Sequence, residues 1–413
     1  MDFARRARHK PGMALDLRKA DWLTATRVRA YLWILALLNL GTLAALLASA
    51  RQGVDRNGFL LGTDFLSFWT VGRMLQGDAN PYDQAAHIAA QQAYFTQADA
   101  FTAFFYPPAF LPFCYPLGWL PYFPALAVWL VATGALFAFA LTRWLRAYPL
   151  PASWWLLLAA FPATVIEITH GQTAFLSAGL LTLGMLCAGP RPFLAGALFG
   201  LATLKPQFGL LMPVVLLLTG QWRVGVAAVV TAMALGGLSA ALFGTQVWPD
   251  WYALTQAAQS AMDAGTVGYA KMVSPFAGLM LLGIPQPISY IGHTAVGLTV
   301  AVMLAMAARH RRRYTPELGA LALAGAVLVS PFVLDYDMLL LMPAMIVVVW
   351  QGLSDGFRAW EKLAVFLAFA APAFARPLGL SLHLPIMPEI AFFLFWVLWR
   401  RVRAAPLESI HHA

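Results

Sequence analysis

The sequence predicts an all-α, polytopic membrane protein, and three observations carry that reading. Of its 413 residues, 61% are hydrophobic and only 11% charged. Apolar runs of bilayer-crossing length, about 20 residues, recur from Tyr31 to the C-terminal region. The arginines gather in short patches between those runs rather than spreading over a surface. This composition excludes a water-soluble globule. The net charge of +9 is placed as a topology signal, so it does not imply a nucleic-acid partner. Cys114 and Cys187 stand far apart in apolar sequence, with no spacing that suggests a disulfide framework or a metal site.

Residues 1–30 carry eight Lys/Arg against three Asp and read as a cytoplasmic basic N-terminus. The apolar run from Tyr31 to Ala50 is too long for a signal-peptide core and is read as an uncleaved anchor. A single membrane-embedded domain is predicted over 31–403, followed by a cytoplasmic tail, 404–413. Placing Arg143/Arg146, Arg191, Arg223, Arg309/Arg311/Arg312/Arg313, Arg358/Lys362 and Arg400/Arg401/Arg403 in the cytoplasm satisfies the positive-inside bias. The first loop, 51–121, the region near His170, the loop 244–270 and Ser330–Asp337 then all fall on the opposite, periplasmic face. Prolines at 107, 108, 112, 116 and 121 oppose a continuous spanning helix, so 106–121 is read as a re-entrant or interfacial element. Residues 192–219 read as two short helices meeting at Lys205-Pro206, a break tolerated only where protein or a cavity covers it. The whole is expected to contain eleven to thirteen spans in a bacterial inner membrane.

The chemistry concentrates in the first loop. Residues 51–105 contain five aspartates but no glutamate and no lysine, and because a carboxylate costs several kcal/mol to bury near lipid, this acid-bearing loop reads as a site. Asp64 precedes a helical pattern (Phe65, Phe68, Trp69, Gly72, Leu75) that reads as an amphipathic helix along the membrane surface. The turn Gly77-Asp78-Ala79-Asn80-Pro81 ends it, and Asp83 opens a second helix reaching to about Asp99. In the loop 244–270, Trp248-Pro-Asp-Trp251-Tyr252 places rings at interface depth ahead of another short helix. Asp64 can serve as a helix cap or as a base, and capping leaves one carboxylate oxygen free. Asp78 and Asp83 can shape the turn and cap the next helix, or contact a sugar. Glu167 and His170, three residues apart, share a helix face, and Gly171 has the place of a helix C-cap. Lys205, in mid-segment beside a proline, calls for a defined anionic partner. Asp335 and Asp337 flank a helix start.

The ordered set Asp64-Phe, Gly77, Pro81-Tyr-Asp83, Tyr106-Pro-Pro, Pro116-Leu, Leu120-Pro, Gly171-Gln, Lys205-Pro and Ser330-Pro through Tyr336-Asp337 resembles glycosyltransferase family 87. The resemblance implies a polytopic enzyme of the GT-C fold that takes its sugar, typically mannose, from a polyprenyl phosphate. It implies that Asp64 is the catalytic base, that the donor enters from the bilayer, and that chemistry occurs at the periplasmic or extracellular face. In mycobacterial relatives the segment matching Ser330–Asp337 carries histidines; here it reads Leu334-Asp-Tyr-Asp, so no histidine role carries over. Bottom-up chemistry asks for the same parts. An inverting transfer needs one carboxylate to take the acceptor's proton, cations for the departing phosphate, an apolar groove, and polar and aromatic contacts to the sugar. Asp64 fills the first role, Lys205 with Arg73 the second, and the apolar spans the third. Gln172, Asp78, Asp83, Trp69 and Tyr336 fill the last, with Glu167, His170 and Asp335 as further substrate contacts. The expected partners are the donor, a lipid or glycan acceptor and membrane lipids. No cofactor is expected; a divalent cation stays open, Asp335-Tyr-Asp337 being the one DxD-like pair. A transporter or flippase, or a non-catalytic assembly subunit, is the competing class of function.

Overall fold

Prolines and buried charges decide where the apolar sequence breaks into helices. The computed structural model describes residues 16–56, 58–95, 102–263 and 268–404. The expected end of the second loop helix near Asp99, the tail from 405 onward and its His411 and His412 lie outside the described residues. In chain order the first helices are α1 (Ala25–Ser49), α2 (Phe65–Gln76), α3 (Gln84–Tyr94), α4 (Leu111–Cys114), α5 (Tyr122–Ala147) and α6 (Trp154–Ala160). Next come α7 (Pro162–His170), α8 (Ala174–Cys187), α9 (Pro192–Leu201), α10 (Met212–Leu218), α11 (Trp222–Phe243) and α12 (Val247–Asp263). The rest are α13 (Pro275–Leu281), α14 (Gln286–Arg311), α15 (Pro316–Val329), α16 (Met342–Asp355), α17 (Glu361–Ala370), α18 (Pro372–Leu382) and α19 (Ile386–Ala404). Among the described residues β structure is limited to isolated bridges, such as Met272 with Leu334. The chain is an all-α polytopic membrane protein.

Five helical segments are long and apolar enough to cross a bilayer one by one: α1, α5, α11, α14 and the stretch Asp335–Asp355. The bent pair α17–α18, turned by 70° at its break, makes a sixth if taken as one span. Shorter apolar helices cover Ala174–Cys187, Pro192–Leu204, Pro206–Leu218 and Pro316–Val329. Fewer helices therefore qualify singly than the eleven to thirteen spans expected, because prolines cut much of the apolar sequence into pieces. The break at Lys205-Pro206 falls where the sequence placed it, between α9 and the turn Pro206–Gly209. Residues 108–119 form short 3₁₀ and α turns, as their prolines require.

The core sits in α8, α15 and the stretch 335–348, whose residues are almost all buried. α5 packs along α8, α9 along α11, and α15 along α19. α1 is peripheral, buried only at Ala36, where it meets Leu156 and Ala160 of α6 and Asn39 Nδ2 donates to the Ala159 carbonyl at 2.9 Å. The exposed apolar residues of α11 and α14, such as Val230, Met233, Leu298 and Val302, suit contact with lipid.

α2 differs from the surface-lying amphipathic helix expected of it. Nine of its twelve residues are buried. Phe65 and Phe68 pack against Tyr122 and Trp129 of α5 and against Phe110. Gly72 meets Gly118 backbone to backbone: a Cβ on Gly72 would lie 2.4 Å from the Cys114 carbonyl oxygen, and one on Gly118 2.4 Å from the Gly72 carbonyl carbon. Two facing glycines thus let the turns of residues 108–119 close over the helix, and its small polar residues Ser67 and Thr70 go inside with it. α12 fastens to the first loop instead of standing free. Trp251 Nε1 donates to the Phe105 carbonyl at 3.1 Å, and Asn80 Nδ2 to Asp250 at 2.8 Å.

Candidate active site

The site is assembled where the end of α7 meets the start of α2. α7 stops at Gly171, whose φ of +64° is the left-handed cap conformation that glycine adopts without strain. Its N–H donates to the Glu167 carbonyl at 2.8 Å. A Cβ there would sit 2.7 Å from Cβ of Phe65, so glycine also lets the two helix ends touch. Across this contact the Gly62 and Asp64 amides donate to the Thr169 and His170 carbonyls, each at 3.0 Å. Gln172 is thereby delivered to Asp64.

Asp64 occupies the cap position of α2, yet its side chain makes no capping hydrogen bond. Oδ2 accepts from Gln172 Nε2 at 3.1 Å, and Oδ1 has only a long 3.5 Å contact from the Thr63 hydroxyl. The orientation of the amide is fixed by chemistry. The Thr173 backbone N–H, which can only donate, meets Gln172 Oε1 at 2.8 Å, so the NH₂ end faces the carboxylate. Tyr106 donates its hydroxyl to the same Oε1, and burial pushes that phenol well above its usual range, keeping it a donor. Asp64 is half-buried and, among the described residues, forms no ion pair.

The second half of the cluster comes from 205 and 335–337. Lys205 Nζ donates to Asp337 Oδ1 at 2.7 Å, with both side chains buried. The ammonium lies 5.0 Å from the Tyr336 ring centre and 5.6 Å from that of Phe208. Asp337 Oδ2 accepts from the Leu334 N–H at 3.1 Å. Val273 N–H donates to the Val333 carbonyl at 2.9 Å, holding this segment from the other side. The His170 ring stands 6.0 Å from that of Tyr336, which joins the two halves. Glu167 Oε1 accepts from the Phe175 N–H at 3.1 Å and so caps the start of α8 from outside, while its Oε2 is buried without a protein partner. Asp335 Oδ1 accepts from the Tyr336 N–H at 3.0 Å, and its Oδ2 is likewise buried and unpartnered. Among the described residues no group of three or more His, Cys, Asp and Glu is disposed to hold a metal ion.

Asp64, Glu167, His170, Gln172, Lys205, Asp335 and Tyr336 therefore come together. Four candidates do not join them. Arg73, nine residues along α2 from Asp64 and so about 13 Å away along the axis, donates to the Gly118 carbonyl and Tyr94 hydroxyl, each at 3.2 Å. Asp83 caps α3, accepting from the Ala86 N–H at 3.1 Å. Asp78 is exposed in the turn with φ +55°, a conformation that aspartate tolerates. Trp69 is buried too, its Nε1 donating to the Leu120 carbonyl at 2.9 Å, and it packs the loop. Two functional candidates escaped the sequence reading. Tyr106 was visible only as part of Tyr106-Pro-Pro. Arg376 of α18, whose Nη1 lies 3.4 Å from His170 Nε2, sits in a segment where nothing local sets it apart.

The fold and the site together mark an integral membrane protein with a cluster of polar and charged side chains gathered inside an apolar helical bundle. The glycosyltransferase family 87 model matches residues 104–333, more than half of the chain, and the protein belongs to that family. It is a membrane glycosyltransferase. The matched stretch includes Tyr106, Glu167, His170, Gln172 and Lys205, and lies between Asp64 on one side and Asp335–Asp337 on the other. No curated protein and no solved structure matches the chain.

Proposed function

We propose that the enzyme transfers a hexose, mannose by the family's usual donor, from a polyprenyl phosphate to a lipid or glycan hydroxyl with inversion. Asp64 is the general base. The acceptor oxygen attacks the anomeric carbon from the face opposite the phosphate and its proton passes to Asp64. The bond from the anomeric carbon to the phosphate oxygen breaks, and its electron pair leaves with polyprenyl phosphate. One carboxylate suffices for this sequence. The observation that carries the reading is the state of Asp64: its side chain is spent neither on the helix end nor on a cation, and a neutral amide aims it. A carboxylate so held is aimed by a neutral donor and keeps one oxygen free of any short contact. Glu167, His170, Asp335 and Tyr336 serve as the sugar contacts, and lipid supplies the route for the donor's tail.

Incubation of the purified protein with polyprenyl-phosphate mannose and a membrane-lipid extract tests this. Transfer of label to a lipid with release of polyprenyl phosphate is expected, and absence of transfer from any polyprenyl-phosphate hexose overturns it. The arginine patches support a site at the periplasmic side of a bacterial inner membrane. Cysteine at exposed Ser260 of α12 should then react with an impermeant thiol reagent in spheroplasts, and cysteine at exposed Ser354 of α16 should not. The reverse pattern would invert the orientation.

A further inference from the structure

We infer that Arg376, braced by His170, is the cation that receives the donor's phosphate, and that Lys205 is not. This inference rests on the reading of the site as a polyprenyl-phosphate-dependent transferase. The ammonium of Lys205 is already committed: it is buried, bonded to Asp337 at 2.7 Å and enclosed by two aromatic rings. A phosphate could reach it only by displacing a buried carboxylate, which would leave an unpaired charge inside the protein.

Arg376 is in the opposite condition. It is partly exposed and, among the described residues, forms no ion pair. Its contact is His170 Nε2 at 3.4 Å. His170 Nδ1 lies 2.8 Å from the Ile166 carbonyl, which can only accept, so Nδ1 carries the proton and Nε2 offers a lone pair to the guanidinium. The imidazole therefore orients the arginine without neutralising it, and most of the guanidinium's N–H donors stay available for a phosphate, whose oxygens match their planar fork. Arg376 acts electrostatically on Asp335, which places the cation at the polar cluster rather than outside it.

The carrier of Arg376 also suits a lipid phosphate. α18 follows the 70° break after α17 and packs against α7 and the stretch 335–341. The same helix exposes Phe374, Leu380 and Leu382. A ligand with an apolar tail and an anionic head could thus lay its tail along α18 and its head on Arg376. During transfer the donor phosphodiester, with one negative charge, becomes a monoester with up to two. A cation placed there binds the transition state and product more strongly than the donor, which is the condition for acceleration.

The test measures binding of radiolabelled farnesyl phosphate, a short-tailed version of the product, to protein in nanodiscs, alongside transfer from the full donor. Arg376→Gln should weaken farnesyl phosphate binding roughly ten- to hundred-fold, Arg376→Lys should weaken it less, and the exposed control Arg223→Gln should leave it unchanged. Equal binding by wild type and Arg376→Gln would overturn the role of Arg376 while leaving the transferase reading in place. A wild type that transfers no hexose and binds no prenyl phosphate would overturn that reading, and this inference with it. If Arg376→Gln is not recovered folded, Arg376→Lys decides: binding weakened about threefold or more supports the role, since lysine lacks the fork, and unchanged binding removes it.

Discussion

Asp64 and Asp337 are the same residue type, both close to the start of a helical segment and both in one polar cluster, yet they are treated in opposite ways. Asp337 is fully enclosed, meets an ammonium at 2.7 Å and gives its other oxygen to a backbone amide. Asp64 is half-buried, meets a neutral amide, and keeps an oxygen without a short contact. The first arrangement commits both oxygens of a carboxylate to fixed partners. The second aims a carboxylate and leaves one of its oxygens without a short contact. The contrast separates a carboxylate that holds the cluster together from the one proposed to work in it.

The sharpest way to break the comparison is to remove basicity at Asp64 alone. Asp64→Asn keeps size and polarity, and no helix cap is lost because the aspartate side chain does not cap α2. Turnover is expected to fall by roughly two to four orders of magnitude, with thermal stability close to wild type. A folded Asp64→Asn protein with near-normal transfer would make the two aspartates equivalent and end the mechanism. Next in size is the effect at the other aspartate, on stability. Lys205→Met leaves Asp337 buried and unpaired, which should cost about 3–5 kcal/mol, seen as a lower unfolding temperature and poor recovery from the membrane. Lys205→Met combined with Asp337→Leu should regain most of that stability and transfer sugar within several-fold of wild type. If the double variant is stable but inactive, the pair takes part in the chemistry and the contrast fails.

Much of this arrangement was legible in the sequence because it depends on local rules. Prolines announced the broken stretches at 106–121 and 192–219, and Gly171 followed by Gln172 announced a helix end with a polar residue beyond it. A mid-segment lysine had to have an anion, and Asp337 is that anion. What could not be read depends on packing between distant segments. The pattern of α2 reads as amphipathic, but whether its polar side meets water or protein depends on Gly72 facing Gly118, 46 positions apart. Arg73 lies on the same helix as Asp64, yet helix length alone carries it to the other end. Arg376 reaches the site because α18 turns at a break and comes to rest on α7, which leaves no local trace.

A subtler change sharpens the contrast by altering what holds Asp64. Gln172→Leu removes the amide donor and strands the Thr173 amide that uses its Oε1, while the Tyr106 hydroxyl keeps Thr173 Oγ1 at 3.1 Å. The carboxylate would lose its aim. Losing one such contact is expected to lower turnover about tenfold, following the roughly 1–1.5 kcal/mol worth of a hydrogen bond, with a smaller change in donor KM. Tyr106→Phe, which removes only the support of the support, should cost less. Turnover unchanged in Gln172→Leu would show that Asp64 is positioned by its backbone alone, through the hydrogen bond its N–H donates to the His170 carbonyl.

The smallest effect is expected at Asp83, the acid that does what Asp64 does not. Its carboxylate accepts from the Ala86 N–H at 3.1 Å across the first turn of α3. The residue is exposed, and its helix lies over α2 rather than at the polar cluster. Replacing a capping aspartate by alanine frees one backbone donor and typically costs about 1 kcal/mol. Water can reach this exposed end, which keeps the cost at the lower side. Asp83→Ala should therefore lower the unfolding temperature slightly while transfer rate and donor KM stay within about twofold of wild type. Asp83→Asn, whose amide oxygen can still accept, should restore the stability. A fall in transfer by Asp83→Asn as large as that by Asp64→Asn would mean that charge at the loop matters in general, and Asp64 would lose its distinction.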